Sequence, residues 1–150
     1  MHNMASEPLD FCKMENCVCF NLRWASRAFT QFYGSQLSRH GLLPTQTPIL
    51  SALAARPSAT MAELSDWLGM DRTTLIRNLG PLERDGLVTL GGKGRGSKVT
   101  VEITRKGKSA LSKLLPDWQA AQRAVIETLG EKRWSAILAD LERAAHALAK

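Results

Sequence analysis

The chain has 150 residues, of which 44% are hydrophobic, and its formal net charge is +6. That length and apolar content suffice for a hydrophobic core without disulfide staples. No run approaches the eighteen or so apolar residues of a membrane span, and the first residues, which include Glu7 and Asp10, form no apolar signal region. Three cysteines, an odd number clustered near one end, exclude a secreted disulfide framework. We therefore expect a cytoplasmic protein with no membrane partner.

Residues 18–41 carry the pattern of an amphipathic helix. Apolar side chains recur every three or four positions, at Val18, Leu22, Ala25, Phe29 and Phe32. Gly41 marks its end. A short helix is predicted next, capped by Thr45 or Thr47 and carrying Pro48 in its first turn.

Two helices joined by a tight turn follow. Thr60 and Glu63 are spaced as a capping box at the start of the first, which stops at Gly69. Asp71 is the expected N-cap of the second, residues 72–84. This is the pattern of a helix-turn-helix.

The second helix carries polar side chains near its start that are typical of contacts to base edges and phosphates. They are Arg72, Thr73, Thr74, Arg77 and Asn78. Pro81, within the same helix, removes an amide and should bend it. Because Pro81 lies beyond Arg77, we expect the bend to leave the start of the helix, with its base-contacting side chains, unchanged.

A basic hairpin is predicted directly after this helix. Residues 87–90 and 99–103 form strands around a glycine-rich loop that holds Lys93, Arg95 and Lys98. The segment 93–108 contains six basic residues and one acidic residue, in a chain whose whole net charge is +6. Such concentration suits a phosphate backbone. A solubilising loop is the alternative, and the adjoining helical pair favours a DNA-binding wing.

The remainder of the chain is predicted to be helical. One apolar stripe comprises Leu111, Leu115, Trp118, Ala121, Val125 and Leu129. Pro116 should kink or interrupt that helix. Gly130 precedes a last helix whose stripe comprises Trp134, Ile137, Leu138, Leu141, Ala145 and Leu148.

A winged helix of about sixty residues cannot cover all these apolar faces, so we expect a second copy of the chain to cover them. The predicted fold is mainly α with a small β-wing, a winged helix-turn-helix in residues 45–108 that is dimerised through helices in 11–41 and 109–150. Two-fold symmetry then predicts a palindromic operator on double-stranded DNA. A monomeric helical bundle with a hairpin is the alternative.

Residues 17–148 resemble the MarR-type winged-helix transcriptional regulators. The resemblance rests on the segments 61–69 and 71–79, on Leu-Glu-Arg-Asp-Gly-Leu-Val at 82–88, and on Ile103-Thr104. It implies an obligate homodimer, usually a repressor, that releases DNA when a small molecule or an oxidant alters the spacing of its two readers.

The wing departs from the family pattern. Members commonly carry Asp-x-Arg there, with the arginine in the minor groove, whereas alignment from Ile103-Thr104 puts Arg95, Gly96 and Ser97 at those positions. We expect Lys93, Arg95 or Lys98 to substitute for the missing arginine.

Residues 18–33 also resemble the first helix of the organic-peroxide-sensing OhrR branch. The resemblance implies that Cys19, with Cys17 nearby, is the oxidised residue and that Tyr33 hydrogen-bonds it. Arg23, four residues after Cys19, would favour the reactive thiolate. Cys19 and Tyr33 are fourteen residues apart, roughly 21 Å along a helix, so they would meet only across a dimer.

Two other interpretations of the cysteines stay open. Buried structural thiols are common. A metal site formed by Cys12, Cys17 and Cys19 is weakly supported, because no distal ligand pair matches it.

Little else suggests chemistry. Trp24 and Trp118 are candidates for the wall of a small-molecule effector cavity, and His40 is read as a helix-end residue. No nucleophile, base and orienting group can be assembled, so we expect no enzyme, catalytic residue, cofactor or metal. The predicted function is sequence-specific transcriptional regulation, with a protein-interaction module that has lost DNA binding as the alternative.

Overall fold

The computed structural model of the chain describes residues 14–92 and 98–148, and the predicted wing residues Lys93 and Arg95, as well as Cys12, lie outside this part. A short 3-10 turn, Met14–Asn16, precedes the first long helix. The α-helices and strands, in chain order, are α1 Val18–Leu37, α2 Thr47–Ala55, β1 Ser58–Thr60, α3 Met61–Leu68, α4 Arg72–Arg84, β2 Val88–Gly91, β3 Thr100–Ile103, α5 Arg105–Leu129 and α6 Glu131–Leu148.

The three strands form one antiparallel sheet in the order β1-β3-β2. Val88 of β2 pairs with Ile103 along one edge of the central strand β3, and Ser58 of β1 pairs with Glu102 along its other edge. The sequence predicts β2 and β3 but not β1, which has three residues and one buried side chain, Ala59. A strand this short has no recognisable alternation and exists because β3 supplies its hydrogen-bonding partner.

The core lies between α2, α3, α4 and the sheet, and α5 closes one side of it through Leu114. The aliphatic side chains at its centre have 0% exposure, namely Ile49, Leu50, Leu53, Leu64, Leu75 and Val101. A close-packed aliphatic cluster of this kind supplies most of the free energy that opposes chain entropy.

The connection between α1 and α2 differs in detail from the sequence expectation. α1 ends at Leu37, and a 3-10 turn, Ser38–His40, leads to Gly41 in the left-handed region at φ 66°. Neither Thr45 nor Thr47 caps α2, because Gln46 occupies the N-cap position and Thr47 is the first helical residue. The Thr47 hydroxyl instead donates to the carbonyl of Leu43.

The two prolines inside helices do not interrupt them. α5 runs through Pro116 for 25 residues, so of the two expected effects, a kink or an interruption, the interruption does not occur. Burial of Leu114 and Ala121 on either side of the proline stabilises a continuous helix against the loss of one amide hydrogen bond. α4 likewise continues past Pro81, where Gly80 lacks the Cβ that a following proline ring disfavours in a helix.

A polar cluster connects the 3-10 turn after α1 to the middle of α5. The Asp117 carboxylate accepts from Arg39 Nε at 2.8 Å and lies 2.5 Å from Nε2 of His40. His40 is the last residue of the 3-10 turn, as expected of a helix-end residue, and its ring pairs with a carboxylate. The hydrogen bonds from His40 and then from Arg39 hold the pKa of Asp117 below its ordinary value of 3.8.

α6 buries none of its side chains in the single chain. Trp134 lies near Phe29 of α1, with ring centroids 6.3 Å apart, while Ile137, Leu138 and Leu141 are 39–47% exposed. Across the part of the chain that the structure describes, no helix has the length and hydropathy needed to cross a membrane.

Asp117→Asn tests the polar cluster, because it keeps the side-chain size and removes the charge. The pKa of Asp117 is lower in the folded than in the unfolded chain, so its stabilisation is present at neutral pH and is lost as pH falls through the folded-state value. We expect the variant to unfold at lower urea concentration than the parent near neutral pH, with the difference shrinking in acid. Asp140→Asn removes an exposed pair with Arg143 and should change stability little. A urea midpoint for Asp117→Asn equal to that of the parent at neutral pH would contradict this role.

Candidate nucleic-acid interface

The capping box predicted from sequence sets the start of α3. The Thr60 hydroxyl accepts from the Glu63 amide at 3.2 Å, and a Glu63 carboxylate oxygen accepts from the Thr60 amide at 2.8 Å. The hydrogen bonds that the Glu63 carboxylate accepts from the amide and the hydroxyl of Thr60 lower the pKa of Glu63. Gly69 ends the helix at φ 59°, which a glycine adopts without steric cost.

Asp71 caps α4, as predicted. Its carboxylate accepts from the Thr74 amide at 2.9 Å and from the Thr74 hydroxyl at 2.6 Å. Hydrogen bonds from the Thr74 side chain and amide lower the pKa of Asp71. The first turn of α4 is therefore fixed relative to the turn before it.

The orientation of α4 follows from its apolar stripe. Leu75, Leu79 and Leu82 are at most 2% exposed and face the core. The opposite face, toward solvent, carries Arg72, Thr73, Ile76, Arg77 and Gly80. Three of the five predicted contact residues, Arg72, Thr73 and Arg77, thus lie on an outward surface.

The other two predicted contacts make hydrogen bonds within the chain. Thr74 binds Asp71, as described above, and Asn78 is half-buried. The Asn78 Oδ1 atom accepts from the Thr45 hydroxyl at 2.8 Å, and its Nδ2 donates to the Thr74 carbonyl at 3.0 Å. Asn78 thereby connects α4 to the segment that precedes α2, a contact between residues 33 positions apart that the sequence does not reveal.

Ile76 is a surface residue that the sequence analysis missed. It is 52% exposed on the same face as Thr73 and Arg77. A signal was available, because Leu75, Leu79 and Leu82 complete a helical stripe to which the adjacent Ile76 does not belong.

The hairpin of β2 and β3 begins directly beyond α4. Lys98, on the strand side of the loop, is exposed, and its charge contributes to lowering the pKa of Glu63. Basic side chains continue into α5, where Arg105, Lys106 and Lys108 are exposed. The Lys106 ammonium donates to the Asp85 carbonyl at 2.7 Å, next to the end of α4. Positive charge therefore lies next to the C-terminal end of α4.

A cavity of about 560 Å³ opens between α1, α2 and α5. Its wall is mainly apolar and includes Phe29, Leu37 and Trp118. The Tyr33 hydroxyl hydrogen-bonds Gln122 in this wall, and burial raises the pKa of Tyr33. Trp118 lies where the sequence analysis expected it, whereas Trp24 is 62% exposed on α1 and does not line this cavity.

Cys17 and Cys19 lie at the start of α1. Cys17 is the N-cap and Cys19 is the second helical residue, and both are exposed free thiols. In the single chain they are therefore not packed into the core. Arg23 is also exposed, and Tyr33 is engaged with Gln122. Within residues 14–92 and 98–148, no group of three potential metal ligands comes together.

Comparisons with known proteins agree with this architecture. Residues 40–96 match the model of the MarR family. The crystal structure of the M. tuberculosis transcriptional regulator MosR shares 35% identity, with a TM-score of 0.75, over 89% of this chain and 98% of that chain. The comparison with curated protein sequences gave no match.

Two further structures are similar. MosR in complex with DNA is 36% identical, with a TM-score of 0.76, over 87% of this chain and 97% of that chain. Bordetella bronchiseptica BpsR, whose DNA binding is regulated by 6-hydroxynicotinic acid, is 18% identical with a TM-score of 0.79, over 93% and 99% of the two chains. The second likeness concerns the fold alone.

Proposed function

The chain belongs to the MarR family of transcriptional regulators, and we propose that it binds a palindromic operator as a homodimer and represses transcription until a small ligand or thiol oxidation releases it. Its role is regulation rather than enzymatic catalysis. A regulator of this kind works where the chromosome lies, so the proposal includes a cytoplasmic location.

The outward face of α4 carries the proposal. Arg72, Thr73 and Arg77 project from a helix whose start is fixed by the Asp71 cap and whose opposite side is held by three buried leucines. Arginine forms bidentate hydrogen bonds with guanine in the major groove, and cations near the helix start bind phosphates. The 36% identity to a regulator described in complex with DNA supports the same use of α4 here.

The wing is proposed to contact the flanking minor groove. Lys98 is exposed beside the hairpin, and Lys93 and Arg95 are the further candidates in the loop.

In the isolated chain Thr74 and Asn78 make hydrogen bonds within the protein, so we propose that they position α4. Arg72, Thr73 and Arg77 then make the major-groove contacts.

The alternative is a winged helix that binds another protein. The absence of the usual wing arginine is its only support. Salt distinguishes the two, because contacts to phosphates release counterions and weaken steeply as salt rises, whereas an apolar protein interface does not.

Release by a ligand is supported by the cavity between α1, α2 and α5. Pro44, Thr47 and Pro48 line it, and Thr45, within the same segment, donates to Asn78 of α4. A molecule that fills the cavity and displaces this segment would move the base-reading helix. The regulation of BpsR by 6-hydroxynicotinic acid supports a small organic effector.

Release by oxidation is supported by the exposure of Cys19 and Cys17 at the start of α1. Peroxide converts an accessible thiol to a sulfenic acid, which condenses with a neighbouring thiol. In this proposal Arg23 stabilises the thiolate of Cys19. Tyr33 lies on the same helix and lines the cavity. In this proposal it either transmits a shift of α1 to the cavity wall or contacts Cys19 from the partner chain.

Arg77→Ala tests direct DNA reading. We expect the variant to lose about 1–3 kcal/mol of discrimination between operator and random DNA, because a bidentate arginine contact to guanine is removed. Fluorescence anisotropy at several salt concentrations measures this. Arg143→Ala makes the same charge change on α6, far along the chain from α4, and should leave discrimination intact. Equal losses on operator and random DNA would mean that Arg77 contacts phosphate only, and a flat salt dependence for the parent would favour the protein-interaction alternative.

The homodimer is tested by light scattering after size exclusion. The 16.5 kDa chain should elute at twice its mass, because the apolar faces of α1 and α6 are uncovered in one copy. Leu138→Asp places a charge on the apolar side of α6 and should shift the equilibrium toward monomer. Ala136→Asp makes the same charge change about 200° away around the helix and serves as the control. A stable 16.5 kDa species of the parent at micromolar concentration would contradict the dimer.

Cys19→Ser tests release by oxidation. A pulse of organic peroxide should release the parent from its operator, thiol should restore binding, and the variant should stay bound. Cys17→Ser tests whether Cys19 acts together with Cys17 or alone. Cys12→Ser also removes one thiol and serves as the control. Release of Cys19→Ser by peroxide equal to that of the parent would remove Cys19 as the sensor, and failure of peroxide to release the parent would leave a ligand in the cavity as the releasing signal.

A further inference from the structure

α4 leaves one large apolar side chain outside the core. Ile76 is 52% exposed, whereas its neighbour Leu75 is fully buried, and Ile76 does not belong to the core cluster. A β-branched residue on the solvent side of a helix forms helix less readily than alanine or leucine. Neither core packing nor helix propensity therefore accounts for an isoleucine at this position.

The surroundings of Ile76 are those of a groove-reading surface. Thr73 lies three residues before it and Arg77 directly follows it, and both are exposed on the same side of α4. Arg72, one turn earlier, adds a second cation. In the major groove the apolar group on a base edge is the C5 methyl of thymine, and aliphatic side chains recognise it by contact.

Resting on the proposed function, we infer that Ile76 is a specificity-determining residue that packs against the C5 methyl of one thymine in each half-site. The arginine side chains beside it contact phosphate or guanine. Ile76 adds discrimination between thymine and bases without the methyl group, which the arginines do not provide. Exchange of that thymine for cytosine or uracil removes the methyl and leaves the isoleucine facing water.

An exposed aromatic residue on α3 shows that an exposed apolar side chain can be covered within the chain itself. Trp67 of α3 is 39% exposed, but the Arg56 guanidinium covers its ring at 4.3 Å from the centroid. Ile76 has two cationic residues nearby on its own helix, and these suit a polyanion better than an apolar protein partner. The surface around Ile76 therefore favours DNA as its occupant.

The experiment replaces single thymines with deoxyuridine, which deletes only the methyl group. The binding site is first located by footprinting on DNA from the upstream region of the gene, and each thymine within it is then exchanged in turn. For the parent protein one exchange, with its symmetry mate, should weaken binding about fourfold per half-site, the equivalent of one methyl group removed from a contact. Ile76→Ala should bind the thymine site more weakly and lose this dependence on the methyl group.

Two further variants make the result specific. Ile76→Val keeps the branched carbon and should retain part of the methyl dependence. Arg72→Ala should weaken binding to thymine and uracil sites by the same factor. Because Ile76 is half exposed, Ile76→Ala is expected to fold, and thermal unfolding followed by circular dichroism verifies this.

The outcomes separate this inference from the proposed function. Specific DNA binding in which Ile76→Ala keeps the full methyl dependence, or in which no thymine methyl matters to the parent, overturns the role of Ile76 alone. Failure of the parent to distinguish the upstream DNA from random DNA overturns the regulator proposal and the role of Ile76 with it.

Discussion

Burial of three leucines on one side of α4 constrains the rest of the candidate interface. Leu75, Leu79 and Leu82 are at most 2% exposed, and rotation of the helix about its axis would bring them into water at a cost of about 1.5–3 kcal/mol each. The opposite side, which carries Arg72 and Arg77, must then face solvent. Because the Asp71 cap also fixes where the helix begins, both the rotation and the position of the outward side chains are set before any DNA is present.

Polar contacts connect this helix to the elements that surround the cavity. Thr45 donates to Asn78 across 33 residues of sequence, and Asp117 fastens the residues before that segment to α5. Hydrogen bonds of this kind contribute modestly to stability, but each has one favourable geometry and breaks when either partner moves. Such contacts suit the proposed release of DNA, because packed apolar surfaces change only when much more area is exposed.

The helices near the two ends of the chain, in contrast, leave large apolar side chains exposed. α1 and α6 present Trp24, Leu138 and Leu141 to solvent in the single copy, and α6 buries no side chain at all. The described fold is therefore complete in its core and incomplete in its outer helices, which is the distribution expected when a second copy supplies the missing contacts. Cys17 and Cys19 lie at the start of one of these uncovered helices, where a change of covalent state would act on the arrangement of helices rather than on the core.

The sequence by itself determined the elements whose signals are local. Thr60 with Glu63 and Asp71 with Thr74 identify helix starts through contacts between residues three apart, and helical periodicity identifies α1, α5 and α6 as amphipathic helices. Only the tertiary structure decided that β1 exists, that α5 continues through Pro116, and that Asn78 turns inward to Thr45. Each of these depends on a partner far away in the chain. Local spacing encodes caps and amphipathic faces, whereas a strand pairing, a tolerated proline or a hydrogen bond between distant residues depends on packing that forms only when the chain folds.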